Sequence, residues 1–395
     1  MTPSKPTKPK HRLAKVVPML MTLFVFGFIA GITLPLSSFA SEMSYGLSVT
    51  NGFRNQARVA YVSPPRETKP MTMTTGAPPD EAKRVLDELF SRNNTKALLV
   101  ARDSQILYER YSFGVGKRNT PLGYSMSKSL TALTVGRAIC DGHITTIDDP
   151  VKKYLPTLSG TSWGEASVRD VLRMSSGAYP TLMQFNGHKS RELEQSLGPA
   201  IHEGRMHSDF SDLMKSADEL SRPPGSVFNY NNFDTVALGL LVQAATGMTF
   251  PAYFEKAIWH NVGSESRGAW FINTNGQTST YNGFSASPHD WIRIGVMVLR
   301  ELGNQESCFG KFLKDATSTQ ISSNGPASSY GYQIWVRCAS ETDFCFVGFG
   351  GQYLLFNVDT NTVLYHHATT FSPVVWSTPR VMDKLIPALA RQLSQ

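Results

Sequence analysis

Gly123-Tyr124-Ser125-Met126-Ser127-Lys128 places a serine three residues ahead of a lysine, and no other lysine in the chain has a serine at that spacing. A serine hydroxyl is a weak nucleophile near neutral pH and needs a base beside it. In a helix, residues i and i+3 share a face, so Ser125 and Lys128 can meet in a first turn. A lysine serves as the base if burial makes its uncharged form favourable. The positive end of the helix would also stabilise a forming alkoxide. The same spacing suits a capping serine beside a surface lysine, so other parts of the chain must decide.

Two other stretches bear on the choice. Tyr230-Asn231-Asn232 follows Pro223-Pro224-Gly225-Ser226, and of the 14 tyrosines only Tyr230 has Asn two places later. A phenol near a cationic lysine loses or shares its proton more easily. It could relay a proton between Ser125 and a leaving amine, while Asn232 could hydrogen-bond the lysine or a substrate. A plain chain reversal is the alternative use of such a stretch. Further on, Val347-Gly348-Phe349-Gly350-Gly351-Gln352 puts glycines inside a strand pattern. Such glycines mark close backbone approach or a bulge, and backbone N–H groups exposed there could bind an oxyanion.

In this order the three stretches resemble the serine β-lactamase and D,D-peptidase superfamily, over about residues 80–390. Asp148-Asp149-Pro150-Val151, Leu172-Arg173-Met174-Ser175-Ser176-Gly177 and Asn282-Gly283-Phe284-Ser285-Ala286 look like its other landmarks, with caps and turns as their expected role. The Tyr-x-Asn form is class C-like, and Gly-Phe-Gly-Gly-Gln is similar to the 6-aminohexanoate-dimer hydrolase branch of amidases and esterases. The resemblance implies Ser125 as nucleophile, Lys128 and Tyr230 as acid/base pair, and oxyanion N–H groups from Ser125 and Phe349. Asn232, Gly348 and Gly350 join the oxyanion and substrate-binding set. No metal and no cofactor is implied. One departure is clear. Where β-lactamases and D,D-peptidases carry Lys-Thr-Gly or His-Thr-Gly, this chain reads Phe346-Val347-Gly348, without a cation to hold a substrate carboxylate.

Periodicity predicts the framework. A helix capped by Asp80 runs through Leu86 and Phe90. Strands follow over 97–100 and 106–108, then helices over 125–140, 236–245 and 291–300. Strands are predicted over 332–336, 344–347, 353–358 and 362–367, and a last helix over 379–393. Early and late strands flanking a helical middle predict an α+β fold of the β-lactamase/transpeptidase-like kind. It would have one antiparallel sheet built from both chain ends, flanked by helices, with a mainly helical insertion over roughly 140–260. The hydrolase domain is expected over 80–395, preceded by an extended arm over 41–79 that is rich in Ser, Thr, Pro, Met and Gly. The loops over 178–222, with His202 and His207, and over 264–290 are expected to set selectivity.

Of the net charge of +7, Lys5, Lys8, Lys10, Arg12 and Lys15 contribute 5, leaving 7 − 5 = +2 for the remainder. A nucleic-acid-binding body is therefore not indicated. The basic start precedes an apolar run over 16–36 and Ser38-Phe39-Ala40, the pattern of an export signal within residues 1–40. The run is also long enough to stay as an uncleaved membrane anchor. Either way the hydrolase domain is expected outside the cytoplasm, periplasmic or secreted. Export permits disulfides among the four cysteines. Cys338 and Cys345 flank a polar hairpin loop and suit a bridge, whereas Cys140, in a helical pattern, reads as a buried thiol. His366 and His367 are adjacent in a strand pattern and so point to opposite faces, which argues against a shared metal.

These readings converge on an exported serine hydrolase that cleaves a small-molecule amide or ester through a Ser125 acyl-enzyme. The alternatives are a penicillin-binding sensor or scaffold with little turnover, and a D,D-peptidase or β-lactamase. Oligomeric state is not legible.

Overall fold

The computed structural model describes residues 58–369 and 382–390, apart from 68, 93, 179–208, 219, 221, 274, 324 and 326. The apolar run over 16–36, His202 and His207 lie outside the described residues. Among the described residues no single helix is long and apolar enough to cross a membrane.

The principal elements, in chain order, begin with β1 (Arg58–Val62), β2 (Thr74–Thr75), α1 (Asp80–Ser91), β3 (Thr95–Arg102) and β4 (Gln105–Tyr111). The middle holds α2 (Met126–Cys140), α3 (Val168–Leu172), α4 (Asn232–Thr246), β5 (Gly268–Ile272), β6 (Phe284–Ser285), α5 (Pro288–Gly303) and α6 (Cys308–Ala316). The last part holds β7 (Ile321–Ser322), β8 (Ser329–Tyr330), β9 (Trp335–Val336), β10 (Phe344–Gly348), β11 (Gln352–Asn357), β12 (Thr362–Ala368) and α7 (Met382–Ala390).

Among the described residues, nine strands form one sheet in the order β2-β4-β3-β12-β11-β10-β9-β8-β7. The predicted union of both chain ends is the β3–β12 pair, antiparallel from Thr362↔Arg102 to His367↔Ala97. All the pairings are antiparallel except that of β2 with β4 at the edge. Both faces are covered, so the strands are apolar on both sides rather than alternating. Leu98 and Val100 of β3 face a cluster with Val85, Leu86 and Leu89 of α1 and Leu385 and Leu389 of α7. Ala97, Leu99 and Ala101 face the larger cluster with Leu130 and Leu133 of α2 and Trp291, Ile294 and Val298 of α5.

Several expectations need correction. The arm expected over 41–79, with little regular structure, does contain some: Arg58–Val62 pairs antiparallel with β5, and β6 completes a second, three-stranded sheet. Val59, Tyr61 and Val62 supply strand propensity inside a polar composition. The ordered body therefore begins before residue 80. Asp80 is not a cap; Pro79 holds that position with no side-chain cap bond, and Asp80 and Glu81 sit in the first turn, where the helix dipole favours acids. The strand expected over 332–336 is only Trp335–Val336, because Gln333 adopts φ 55° and breaks the extended run.

Cys140 is not a free thiol. It bridges to Cys308 at a Cα separation of 5.7 Å, tying the end of α2 to the start of α6. The helical pattern around Cys140 carried no sign of a partner 168 residues away. Cys338 and Cys345 are bridged as the hairpin reading suggested. Because the Cys140–Cys308 loop is long, replacing both by Ala should lower unfolding free energy by about 2–4 kcal/mol. Urea denaturation with and without the pair checks this, and an unmoved midpoint would refute it.

Candidate active site

α2 is buried on almost every side, which marks a central helix rather than a surface one. Its polar residues are satisfied one by one, as buried polar groups require. Ser127 Oγ accepts from Phe284 N–H at 2.9 Å, Ser129 Oγ donates to the Gln333 carbonyl at 2.7 Å, and Thr131 Oγ1 lies 2.9 Å from the Thr280 carbonyl. Ser127, Lys128 and Thr131 thus lace one face of α2 to the segment 280–284.

Ser125 occupies the N-cap position of α2 and makes no side-chain cap bond. Lys128 is 2% exposed. Both observations remove the reading of a capping serine beside a surface lysine. Lys128 Nζ instead donates to Ser125 Oγ at 3.1 Å and to the Tyr281 carbonyl at 2.9 Å. It sits over two aromatic faces, 5.0 Å from the Tyr230 ring centroid and 5.3 Å from that of Tyr281. The turn ahead of the serine is strained: Tyr124 has φ 48°, which costs a non-glycine residue about 1–3 kcal/mol and is typical of functional turns.

Tyr230 reaches the same place from just before α4. Its ring stacks on Trp335 at 5.6 Å, with Tyr330 edge-on at 6.4 Å. Ser125 hydrogen-bonds the phenol, but burial outweighs that bond and pushes the phenol well above its ordinary pKa. The expectation of an easily lost proton is therefore corrected. Desolvation dominates, and Tyr230 rests as a neutral phenol. Asn231 caps α4 through Phe233 N–H at 2.9 Å. Asn232 opens the helix with its Oδ1 buried and without a partner among the described residues, so of the two roles expected for it that oxygen does not fill the one at Lys128.

The glycine stretch is the β10–β11 hairpin turn. Gly348 pairs with Gln352, leaving Phe349, Gly350 and Gly351 as a three-residue loop. Gly350 and Gly351 take φ 78° and 93°, open to glycine at little cost. Gly348 lies against the nucleophile turn so closely that a Cβ there would fall 2.2 Å from the Gly123 carbonyl. Phe349 is 51% exposed and meets Tyr124 edge-on at 5.9 Å. Ser125, Lys128 and Tyr230 are thus in mutual contact, Gly348 and Phe349 border the turn that bears Ser125, and Gly350 lies one residue further along the loop.

Sequence reasoning missed the groups that hold these residues in place. Gln333, 1% exposed, accepts from Thr235 of α4 at 2.7 Å and donates to the Val171 and Leu172 carbonyls of α3, both at 3.1 Å. Asp234, also on α4, accepts from Ser176 Oγ at 2.7 Å and Trp163 Nε1 at 2.9 Å. The legible signal was polar residues inside apolar helices: Ser129 of α2, which donates to the Gln333 carbonyl, and Asp234 and Thr235 of α4.

Burial raises the Asp234 carboxyl to about 7 from 3.8 despite those two donors, and its Oδ2 has no partner among the described residues. A raised folded-state pKa means that stability is fully present below the unfolded value and is lost as pH rises through the folded one. Wild type should therefore lose on the order of 2 kcal/mol relative to Asp234→Asn between pH 5 and pH 8. Thermal melts of both proteins across that range test this, and parallel curves would rule it out.

Against this geometry, residues 86–376 match the model of the family described as Beta-lactamase. The chain is 25% identical over 294 residues to a 6-aminohexanoate-dimer hydrolase of Paenarthrobacter ureafaciens, covering 71% of this chain and 74% of that protein. Among solved structures, one from Bacillus anthracis named for 6-aminohexanoate-dimer hydrolase aligns with TM-score 0.70 at 21% identity, covering 86% of this chain and 92% of that one. A class C β-lactamase aligns with TM-score 0.58 at 15% identity, covering 78% and 96%. The fold is that of the β-lactamase and transpeptidase group, and the chain belongs to the Beta-lactamase family as a serine hydrolase related to its amidases and esterases.

Proposed function

We propose that this chain is an exported hydrolase that cleaves a small-molecule amide or ester through an acyl-enzyme on Ser125. The observation that carries the reading is the lysine amine 3.1 Å from the Ser125 hydroxyl, 2% exposed and over the Tyr230 ring.

In this reading Lys128, as the uncharged amine, takes the Ser125 proton while Oγ attacks the substrate carbonyl. The oxyanion is met by the backbone N–H groups of Ser125 and Phe349, with Gly348 and Gly350 shaping the approach and Asn232 turned to the substrate. Tyr230, kept protonated by burial, gives its proton to the leaving amine or alcohol and regains one from Lys128. Water then enters by the reverse proton route and frees the acid. No metal, cofactor or nucleic acid takes part.

Export rests on the basic start, the apolar run over 16–36 and Ser38-Phe39-Ala40. The two disulfides support an oxidising compartment, periplasmic or outside the cell. The run either is cleaved or anchors the protein in the membrane.

Turnover of a chromogenic ester tests the activity. Repeated cycles with release of free acid are expected. One stoichiometric burst followed by a stable acylated protein would instead mark a sensor.

A further inference from the structure

We propose that His366 is a positioning residue for acyl transfer, holding the Phe349-Gly350-Gly351 loop in place through the carbonyl of Gly351. The proposal rests on the reading above, in which Phe349 N–H meets the oxyanion.

A three-residue loop with two successive glycines has many backbone states open to it. An oxyanion donor on it must nevertheless be fixed to a fraction of an ångström, since a 1 Å error costs up to about 10²-fold in rate. One side of the loop is set by Gly348 against Gly123. The other side is set by His366 of β12. Its Nδ1 lies 2.8 Å from the Gly351 carbonyl, and its Nε2 lies 2.9 Å from Thr95 Oγ1 at the start of β3.

A carbonyl only accepts, so Nδ1 carries the proton and donates to Gly351. Nε2 is then an acceptor facing the Thr95 hydroxyl, whose one proton it shares with the Arg92 carbonyl at 2.9 Å and the Leu89 carbonyl at 3.3 Å. His366 is fully buried between Tyr365 and His367 in a strand whose neighbours are mostly apolar. An aliphatic residue would fill such a place without desolvating an imidazole. What the imidazole adds is a rigid hydrogen-bonded link from β3 through β12 to the loop. Burial lowers its pKa to about 4, so this neutral tautomer persists at ordinary pH. The next residue, His367, bonds the Gln352 side chain, whose Nε2 reaches the Ala368 carbonyl at 2.6 Å, so the strand entering from the loop is held as well.

The test is a set of four variants, each measured for ester kcat, KM and melting temperature. His366→Leu should lower kcat by about 10- to 100-fold with KM changed less than about 3-fold. Thr95→Val, which removes the partner of Nε2 but leaves the Gly351 bond, should keep kcat within about 3-fold of wild type. His366→Asn puts an amide N–H near the place of Nδ1 and should recover kcat, while His366→Gln puts it near Nε2 and should not. If His366→Leu does not fold, the Asn and Gln pair decides. Similar melting temperatures with unequal kcat support the proposal. Equal kcat in the pair, or kcat that simply follows melting temperature, overturns it. An error in the serine reading would appear instead in Ser125→Ala, as turnover that survives loss of the hydroxyl.

Discussion

Ser125→Ala is expected to lower kcat/KM for a chromogenic ester by about 10⁴-fold or more while leaving the melting temperature within a few degrees of wild type. The two halves of this expectation have separate grounds. The hydroxyl is the only atom lost, and in the proposed mechanism no other group can form the acyl bond. What rate survives would come from substrate binding and the oxyanion donors, worth about 10³-fold over water in comparable sites. Stability should be spared because Ser125 sits at the N-cap without a side-chain cap bond, so alanine does not remove the roughly 1 kcal/mol that such a bond usually contributes. A variant that folds and turns over at the wild-type rate would eliminate Ser125 as nucleophile.

The second large effect concerns the two proton carriers, which should fail differently. Lys128→Met keeps an unbranched apolar chain between the Tyr230 and Tyr281 rings but removes the amine, so acylation should fall by about 10³-fold or more for every substrate. Tyr230→Phe keeps the stack on Trp335 and removes only the phenolic hydroxyl, and with it the proton to be donated. Its loss should be about 10²- to 10⁴-fold on an anilide or alkyl amide, whose leaving group needs that proton. On a p-nitrophenyl ester, whose leaving group departs as an anion, the loss should be much smaller. Matched kinetics on one ester and one amide make the comparison. Equal losses on the two substrates in Tyr230→Phe would contradict its role as the acid.

The fold was largely legible because a two-sided sheet leaves strong marks: apolar runs near both chain ends and a helical middle. Ser125 and Lys128 were legible because a helix fixes their separation, and Tyr230 because its spacing to Asn232 is distinctive. What escaped is what local sequence does not encode. The partner of Cys140 lies on another helix, and the strand at Arg58–Val62 exists only because β5 presents an edge to it. Gln333 and Asp234 work through contacts among three or more elements. The protonation of Tyr230 was misjudged for a related reason: charge proximity can be inferred from a motif, whereas the desolvation that outweighs it depends on Trp335 and Tyr330 packing around the ring.

The central claim is that one buried amine activates one hydroxyl. The most direct measurement is to label the purified protein with a fluorophosphonate and map the adduct by peptide mass spectrometry. A single adduct on Ser125, absent in Lys128→Met, is the predicted result. An adduct on any other residue, or undiminished labelling without the amine, would contradict it.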